Sequence, residues 1–363
     1  MDNEIKKEAV ELLRKLSQAH GAPGQEDEVR EIFRSELKEG ITTDRAGDII
    51  CERKGTSGFP RIMIAAHMDE VGFMVQSVTS AGLLKFVPVG GWWAHVIPAK
   101  RVRIRTRDGS EVVGVVGAKP PHFLSEAESD KVLKIEDMYI DVGAANPSEV
   151  RDFGIRVGDA IVPDSPFVRM ANPDYLLSKA FDDRAGLSAV VHAARLLRSM
   201  EHPNTVFATG TVQEEVGTRG ARTAAQFIKP DVAIVTESAP GDDSPGLPEE
   251  ERQSAPGKGV QIRFMDPSAI MNRRFVEFVI DTAEKNGIRY QLAVRRKGGT
   301  DASPIHMHGI GVPTVVIAVP ARYAHTHNTI INLSDYMAAL RLILKLVETI
   351  DGRVAESFWN FNN

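Results

Sequence analysis

The chain has 363 residues, of which 42% are hydrophobic and 26% charged, with a formal net charge of −5. That composition suits a globular protein of one large or two ordinary domains, and an acidic balance with no basic block excludes a general nucleic-acid binder. Cys51 is the only cysteine, which excludes an intramolecular disulfide.

The charged, amphipathic start "MDNEIKKEAVELLRKL" lacks the apolar stretch of a signal peptide. No run is apolar for long enough to span a membrane, so a soluble, cytoplasmic protein with no membrane partner is expected. Helical periodicity predicts a helix over Asn3–His20, ended by Gly21 and Pro23. A second is predicted over Gln25–Lys38, with Val29, Ile32, Phe33 and Leu37 inward. Strands are predicted at Asp48–Arg53, Arg61–Ala66 and Val71–Val78. From about Gly72 to Asp164 the texture changes to short β-rich pieces separated by Gly and Pro, such as "KRVRIRT", "EVVGVVG" and "GDAIVPD". This spacing predicts a small barrel or sandwich. From Leu176 strands and helices alternate. Helices are predicted at Gly186–Leu197, Gly220–Ile228, Ser268–Asn286 and Ser334–Ile350. Strands are predicted at Thr205–Val212, Val232–Thr236, Val260–Phe264 and Thr314–Val319. The alternation predicts an α/β layered sheet interrupted by the β-rich insertion.

In an open α/β sheet, ligands bind at the carboxyl ends of the strands. Following the predicted strands come His67 and Asp69, then Asp182 and Asp183 in "AFDDRAG", Glu214 and Glu215 in "VQEEVGTRG", Glu237 in "VTES" and His325 in "ARYAHTHN". Two imidazoles and several carboxylates at one spot suit a first-row metal, zinc by default. One zinc leaves carboxylates over, and their repulsion favours two metals sharing a carboxylate. Of Glu214 and Glu215, one can ligate while the other acts as general base. Asp69 is close enough in sequence to hydrogen-bond the second nitrogen of His67. Each of these signals is weak alone: adjacent acids are more often solvated than catalytic, and spacing does not choose between His325 and His327. His306 and His308, in "ASPIHMHG", read as a short helix that points them apart. His20, His192 and His202 read as surface or helix-flank residues. Trp92 and Trp93 read as packing in the insertion.

"AAHMDEVGFMV", "AFDDRAG", "GTVQEEVGTRGA" and "RYAHTH" resemble the tetrahedral-type aminopeptidases, metallopeptidase family 42. This family includes glutamyl and deblocking aminopeptidases and proteins once called endoglucanase M. "VGGWWAHV" and "GAKPPHFLS" resemble it too, so the likeness spans nearly the whole chain in the family's motif order. The resemblance implies a three-layer α/β/α dinuclear metallopeptidase domain, residues 1–71 and 165–363, with an inserted PDZ-like β-barrel at 72–164 that drives dimerisation. It implies that His67 and Glu237 hold the first metal, Glu215 and His325 the second, and Asp182 both. Glu214 becomes the general base, and Asp69 orients His67. The implied metals are two divalent ions, zinc or cobalt, the substrates short peptides, and the assembly a dodecamer built from dimers. Where the family usually has Asp, this chain has Glu237; Asp242 and Asp243 are the alternatives if Glu237 is no ligand. Arg322 and the 295–303 loop are candidates to line the pocket for the substrate's first side chain. The rival functions are an N-acyl amino acid deacylase on the same fold, an endoglucanase, and a catalytically dead scaffold.

Overall fold

The structure, a computed structural model, describes residues 2–361. Its centre is four parallel strands lying side by side: Thr205–Thr211, Arg61–His67, Val232–Pro240 and Thr314–Arg322. They are buried along almost their whole length, as strands covered on both faces must be. The antiparallel strands Ile49–Lys54 and Ile41–Thr43 extend the sheet on one side. Thr329–Asn332, Tyr175–Ser178 and Val168–Arg169 extend it on the other. Val260–Asp266 branches from Thr314–Arg322 and carries Ala269–Ile270 and Tyr290–Val294. The helix Phe181–Leu196 crosses the central strands, flanked by Asp2–Gln18, Asp27–Leu37 and Leu333–Thr349. Helices Arg219–Ile228 and Ala302–His306 pack on the same strands and on each other from the opposite face. The result is the expected three layers.

Several elements differ from their sequence signal. Helical periodicity over Ser268–Asn286 predicts one helix, but it starts only at Arg273 and ends at Lys285. Asp266 closes a turn by accepting the amides of Ser268 and Ala269 at 2.9 and 3.1 Å, and Asn272 caps the helix through the amide of Phe275 at 2.9 Å. The strands Val232–Pro240 and Thr314–Arg322 run past their expected ends at Thr236 and Val319.

The β-rich segment closes into a barrel in the order Gly72–Val78, Leu84–Val89, Tyr139–Asp141, Glu111–Gly117, Arg101–Arg105 and Ala160–Pro163. The "RVRIR" strand shows why. Val102 and Ile104 enter the barrel core beside Phe73, Phe86 and Ile140, while Arg101, Arg103 and Arg105 alternate outward. Arg103 donates to the Gln18 carbonyl at 2.9 Å and Arg105 pairs with Glu28 at 2.5 Å, which ties the barrel to the two N-terminal helices. Trp92 stacks on Phe73 at 4.6 Å and donates its indole N–H to the Gly72 carbonyl. Among the described residues, no helix is long and apolar enough to cross a membrane.

His20, His192 and His202 are buried, not on the surface. His192 lies under Tyr336, with Nδ1 3.3 Å from its hydroxyl, and both ring nitrogens of His20 lack a partner. Helical periodicity does not reveal this, because the helix bearing His192 is buried nearly all round. Burial, with Arg195 nearby, pulls His192 down to about 4. Burial, with Lys179 nearby, pulls His20 down to about 2. The unfolded chain takes up these protons near pH 6.5. Each histidine therefore adds stability that is complete above pH 6.5 and lost as pH falls toward its folded value. The slope reaches about 1.4 kcal/mol per pH unit for each group. Between pH 7 and 4.5 the urea midpoint of wild type should drop relative to that of His192→Gln, and the gap between the two curves should widen by one histidine's share.

Candidate metal centre

The four parallel strands deliver their carboxyl ends to one crevice. His67 is the last residue of its strand, level with Thr211. Val235 is level with Ala65, so Glu237, two residues on, reaches the level of His67 while still inside its strand. The crevice, about 340 Å³, is lined by His67, Asp182, Glu214, Glu215, Glu237 and His325 among others.

Asp182 sits between the two histidines. Its Oδ1 lies 3.5 Å from His67 Nε2, and its Oδ2 lies 3.3 Å from His325 Nε2. Glu237 and Glu214 each approach His67 Nε2 at 4.0 Å. Glu215 Oε1 is 3.5 Å from His325 Nε2. Two ligand groups result, His67–Asp182–Glu237 and Asp182–Glu215–His325, each with donor atoms within 4.8 Å of one another. His325 has φ +58° and is held from behind by the Gly91 carbonyl, 2.8 Å from Nδ1. Gly91 belongs to the barrel segment, so the insertion helps to build the site. Gly90 has φ +86°, and a Cβ there would lie 2.8 Å from Val71 and 3.3 Å from Glu215, which favours glycine; a Cβ at Gly91 would lie 3.2 Å from His325 Nδ1, a tight contact.

Asp69 behaves differently from the expectation that its carboxylate orients His67. The nearer partner of His67 Nδ1 is the Asp69 backbone carbonyl at 3.0 Å, and the carboxylate stands off at 3.5 Å. That carboxylate instead accepts the amides of Glu214 and Glu215, both at 3.0 Å. Beneath it Glu70 is buried against Lys179 at 2.5 Å and Arg184 at 3.5 Å. Arg184 in turn donates to the carbonyls of Met68 and Leu16 at 2.7 and 2.6 Å.

The other candidates lie elsewhere. Asp183 turns away and accepts the Gly186 amide at 3.0 Å. His327 is buried beside Trp92, and His306 bonds the Ala302 carbonyl in its short helix. Asp242 pairs with Arg295 and Asp243 with Arg322, so neither is a free donor. Arg322 lies over Tyr175, outside the crevice lining. Arg263 and Lys297 do line it. Arg263 was not singled out from the sequence, and Asp301 only as part of the 295–303 loop. Asp301 is buried below the crevice, accepts the Thr211 hydroxyl at 2.5 Å and has one oxygen without a partner. Its place in the 295–303 loop, beside the short Ala302–His306 helix, is the sequence signal that bears on it.

The donor set fits divalent cations. Glu215 Oε1 is buried without a hydrogen-bond partner, and buried carboxylates need a balancing charge. Burial holds Glu214 and Glu237 well above the ordinary carboxyl range, helped at Glu214 by Glu237 and at Glu237 by Asp183. Burial likewise takes Glu215 up to about 7, against the pull of His325, and Asp301 to about 6. Burial opposes charge on both site histidines. Asp182 outweighs it, with Asp69 for His67 and Glu215 for His325, which holds His67 well above its usual range and His325 at about 10. Without metal, shared protons screen this cluster, and a cation has to displace them.

Residues 47–342 match the family described as M42 glutamyl aminopeptidase. The glutamyl aminopeptidase of Lactococcus lactis subsp. cremoris is 33% identical over 355 residues, covering 96% of this chain and 99% of its own. A TET aminopeptidase from a marine sediment archaeon of the Thaumarchaeota superposes with a TM-score of 0.94 at 40% identity, covering 97% of this chain and 99% of its own. The TET1 peptidase of Pyrococcus horikoshii, described as assembling into a tetrahedron or a large octahedral shell, has a TM-score of 0.84 at 32% identity, covering 94% and 100%.

Two measurements check this electrostatic account. Zinc titration of metal-free protein at pH 7, in buffers of different ionisation heat, should show net proton release, with affinity falling as the pH is lowered. Lys179→Met should destabilise the fold by about 3–5 kcal/mol, because it leaves Glu70 buried with only the distant Arg184. Adding Glu70→Met should recover much of that loss in urea midpoint.

Proposed function

The chain belongs to the M42 glutamyl aminopeptidase family of peptidases, and from that premise we propose a metal-dependent aminopeptidase that removes N-terminal residues from short peptides. The observation that carries this reading is Asp182, whose two oxygens face two different histidines. His67, Asp182 and Glu237 would hold one divalent cation and Asp182, Glu215 and His325 the other, with zinc or cobalt suiting the donors. Such a pair supplies Lewis acidity to the attacking water and to the scissile carbonyl.

The chain's own residues do the rest. Glu214 lines the crevice without belonging to either ligand group. Its carboxylate takes the proton of the attacking water and returns it to the leaving amine. The surrounding carboxylates attract the substrate's α-ammonium group, which accounts for action at a free N-terminus. Arg263 and Lys297 supply positive charge to the crevice wall. Arg263 is held by Asp266 at 3.2 Å and Arg295, also in the wall, by Asp242 at 2.8 Å, which leaves Lys297 as the freer charge. The pocket therefore suits an acidic first side chain, in keeping with the glutamyl aminopeptidase of Lactococcus lactis. An endoglucanase has no use for His67, His325 and a shared Asp182, and the tryptophans stand apart: Trp92 packs on Phe73 and Trp93 lies beside His95. We also read the 72–164 barrel as the dimerisation unit of a dodecamer, and the working compartment as the cytoplasm.

Several outcomes are expected. Glutamyl-arylamide should be cleaved faster than leucyl- or lysyl-arylamide, and Lys297→Glu should reverse the order of glutamyl and lysyl substrates. Chelation or N-terminal acetylation of the peptide should abolish release. Glu214→Gln should keep both metals by elemental analysis and lose about 10²–10⁴-fold in kcat, whereas Asp182→Asn should lose metal. Glu214→Gln that sheds its metals while Asp182→Asn keeps both would reverse these two roles.

A further inference from the structure

Beyond Thr211 the chain leaves the sheet, and the amides of the next four residues have no strand to pair with. Each donates instead to a buried carboxylate. The Val212 amide reaches Asp48 Oδ1 at 2.9 Å, and the Gln213 amide reaches Glu26 Oε1 at 3.2 Å. The amides of Glu214 and Glu215 reach the two oxygens of Asp69 at 3.0 Å each. The three acceptors are at most 2% exposed. They come from three separate places: just before the strand Ile49–Lys54, just before the helix Asp27–Leu37, and just after the strand Arg61–His67.

We infer that Glu26 and Asp48 are positioning residues that, with Asp69, fix Glu214 and Glu215 through four consecutive backbone amides. The catalytic part of this inference rests on Glu214 being the general base. A buried amide must find an acceptor, and a carboxyl oxygen supplies one whether or not the group is ionised. Both new acceptors are themselves anchored. Asp48 Oδ2 takes the Thr223 hydroxyl at 2.8 Å, and Glu26 Oε1 also takes the Gly24 amide at 2.7 Å. The approach of Asp48 needs a glycine beside it, since a Cβ at Gly220 would lie 2.2 Å from its Oδ1 and 2.5 Å from the Val212 amide nitrogen. Gln213 adopts φ +57°, a conformation that a non-glycine residue keeps only when its surroundings impose it. The Glu26 bond acts on that residue directly. Neither Glu26 nor Asp48 lines the crevice, so they act through the 212–215 segment and not on the substrate.

The test compares Glu26→Met, which keeps bulk but accepts no hydrogen bond, with Glu26→Gln, whose amide oxygen still accepts one. Amide hydrogen exchange on the metal-free chain reads the anchoring without any assumption about function. In Glu26→Met the segment 211–215 should exchange at least about tenfold faster, while the helix Leu333–Thr349 is unchanged; Glu26→Gln should match wild type. On glutamyl-arylamide, Glu26→Met should lose about 10–100-fold in kcat with KM within about twofold and both metals retained, and Glu26→Gln should restore kcat to within about threefold. Should Glu26→Met not fold, Thr223→Val loosens Asp48 more mildly and should speed exchange of 211–215 alone. Unchanged exchange in 211–215, equal acceleration throughout the chain, or a Gln variant as impaired as Met would each overturn the inference. Wild-type protein inactive on every free-N-terminal peptide, with the exchange pattern as expected, would overturn the aminopeptidase reading and leave the anchoring intact.

Discussion

Like charges crowded into a buried crevice repel one another, and the surroundings of this crevice are arranged around that repulsion. Two carboxylates 4 Å apart interact by about 4 kcal/mol at the effective dielectric of a protein, and a whole fold is stable by only about 5–15 kcal/mol. Asp182, Glu214, Glu215 and Glu237 meet here, with Asp183 and Asp301 buried just below. Three buried carboxylates outside the ligand groups have partners of their own. Asp69 has two amides, Asp183 has the Gly186 amide, and Glu70 has Lys179 and Arg184. The ligand carboxylates have only the two histidines, and among the described residues Glu215 Oε1 accepts no hydrogen bond. That crowding of acids is the physical basis of the proposed cation site.

The scaffold serves the same end. Parallel strands in register bring residues far apart in sequence to one level, as with His67, Thr211 and Glu237. The barrel then closes the site from one side. The Gly91 carbonyl backs His325, and Gly90 leaves room for Glu215. The barrel is in turn fastened to the N-terminal helices by Arg103 and Arg105. A segment whose sequence holds no ligand thus sets the direction of one.

Much of the fold was legible. The strand Arg61–His67 carries a continuous apolar run from Ile62 to Ala66, as a strand covered on both faces has to. The barrel showed in short β-rich pieces separated by Gly and Pro, "KRVRIRT" among them. The errors lie where local hydrogen bonds override periodicity, as at the turn closed by Asp266 before Arg273, or where an element is buried all round. There periodicity carries no orientation, and His192 read as a flank residue. Asp69 was read as a partner of His67 because only its sequence distance was visible. Its carboxylate bonds residues 145 and 146 positions away, and no local pattern encodes that.

By itself the sequence determined which residue types stand at the strand ends, and therefore that acids and imidazoles would converge at the carboxyl edge of a parallel sheet. Strand periodicity and the right-handed crossover of parallel strands are enough for that. Only the tertiary structure decided which member of each pair turns inward: Asp182 and not Asp183, His325 and not His327, Glu214 and Glu215 together on one anchored segment. The reason is conformational. Ala180, Gln213 and His325 all adopt positive φ, a region that L-residues enter only when tertiary contacts hold them there. Such a turn has no period, so the direction of the side chain beyond it is set by carboxylates and carbonyls from distant parts of the chain.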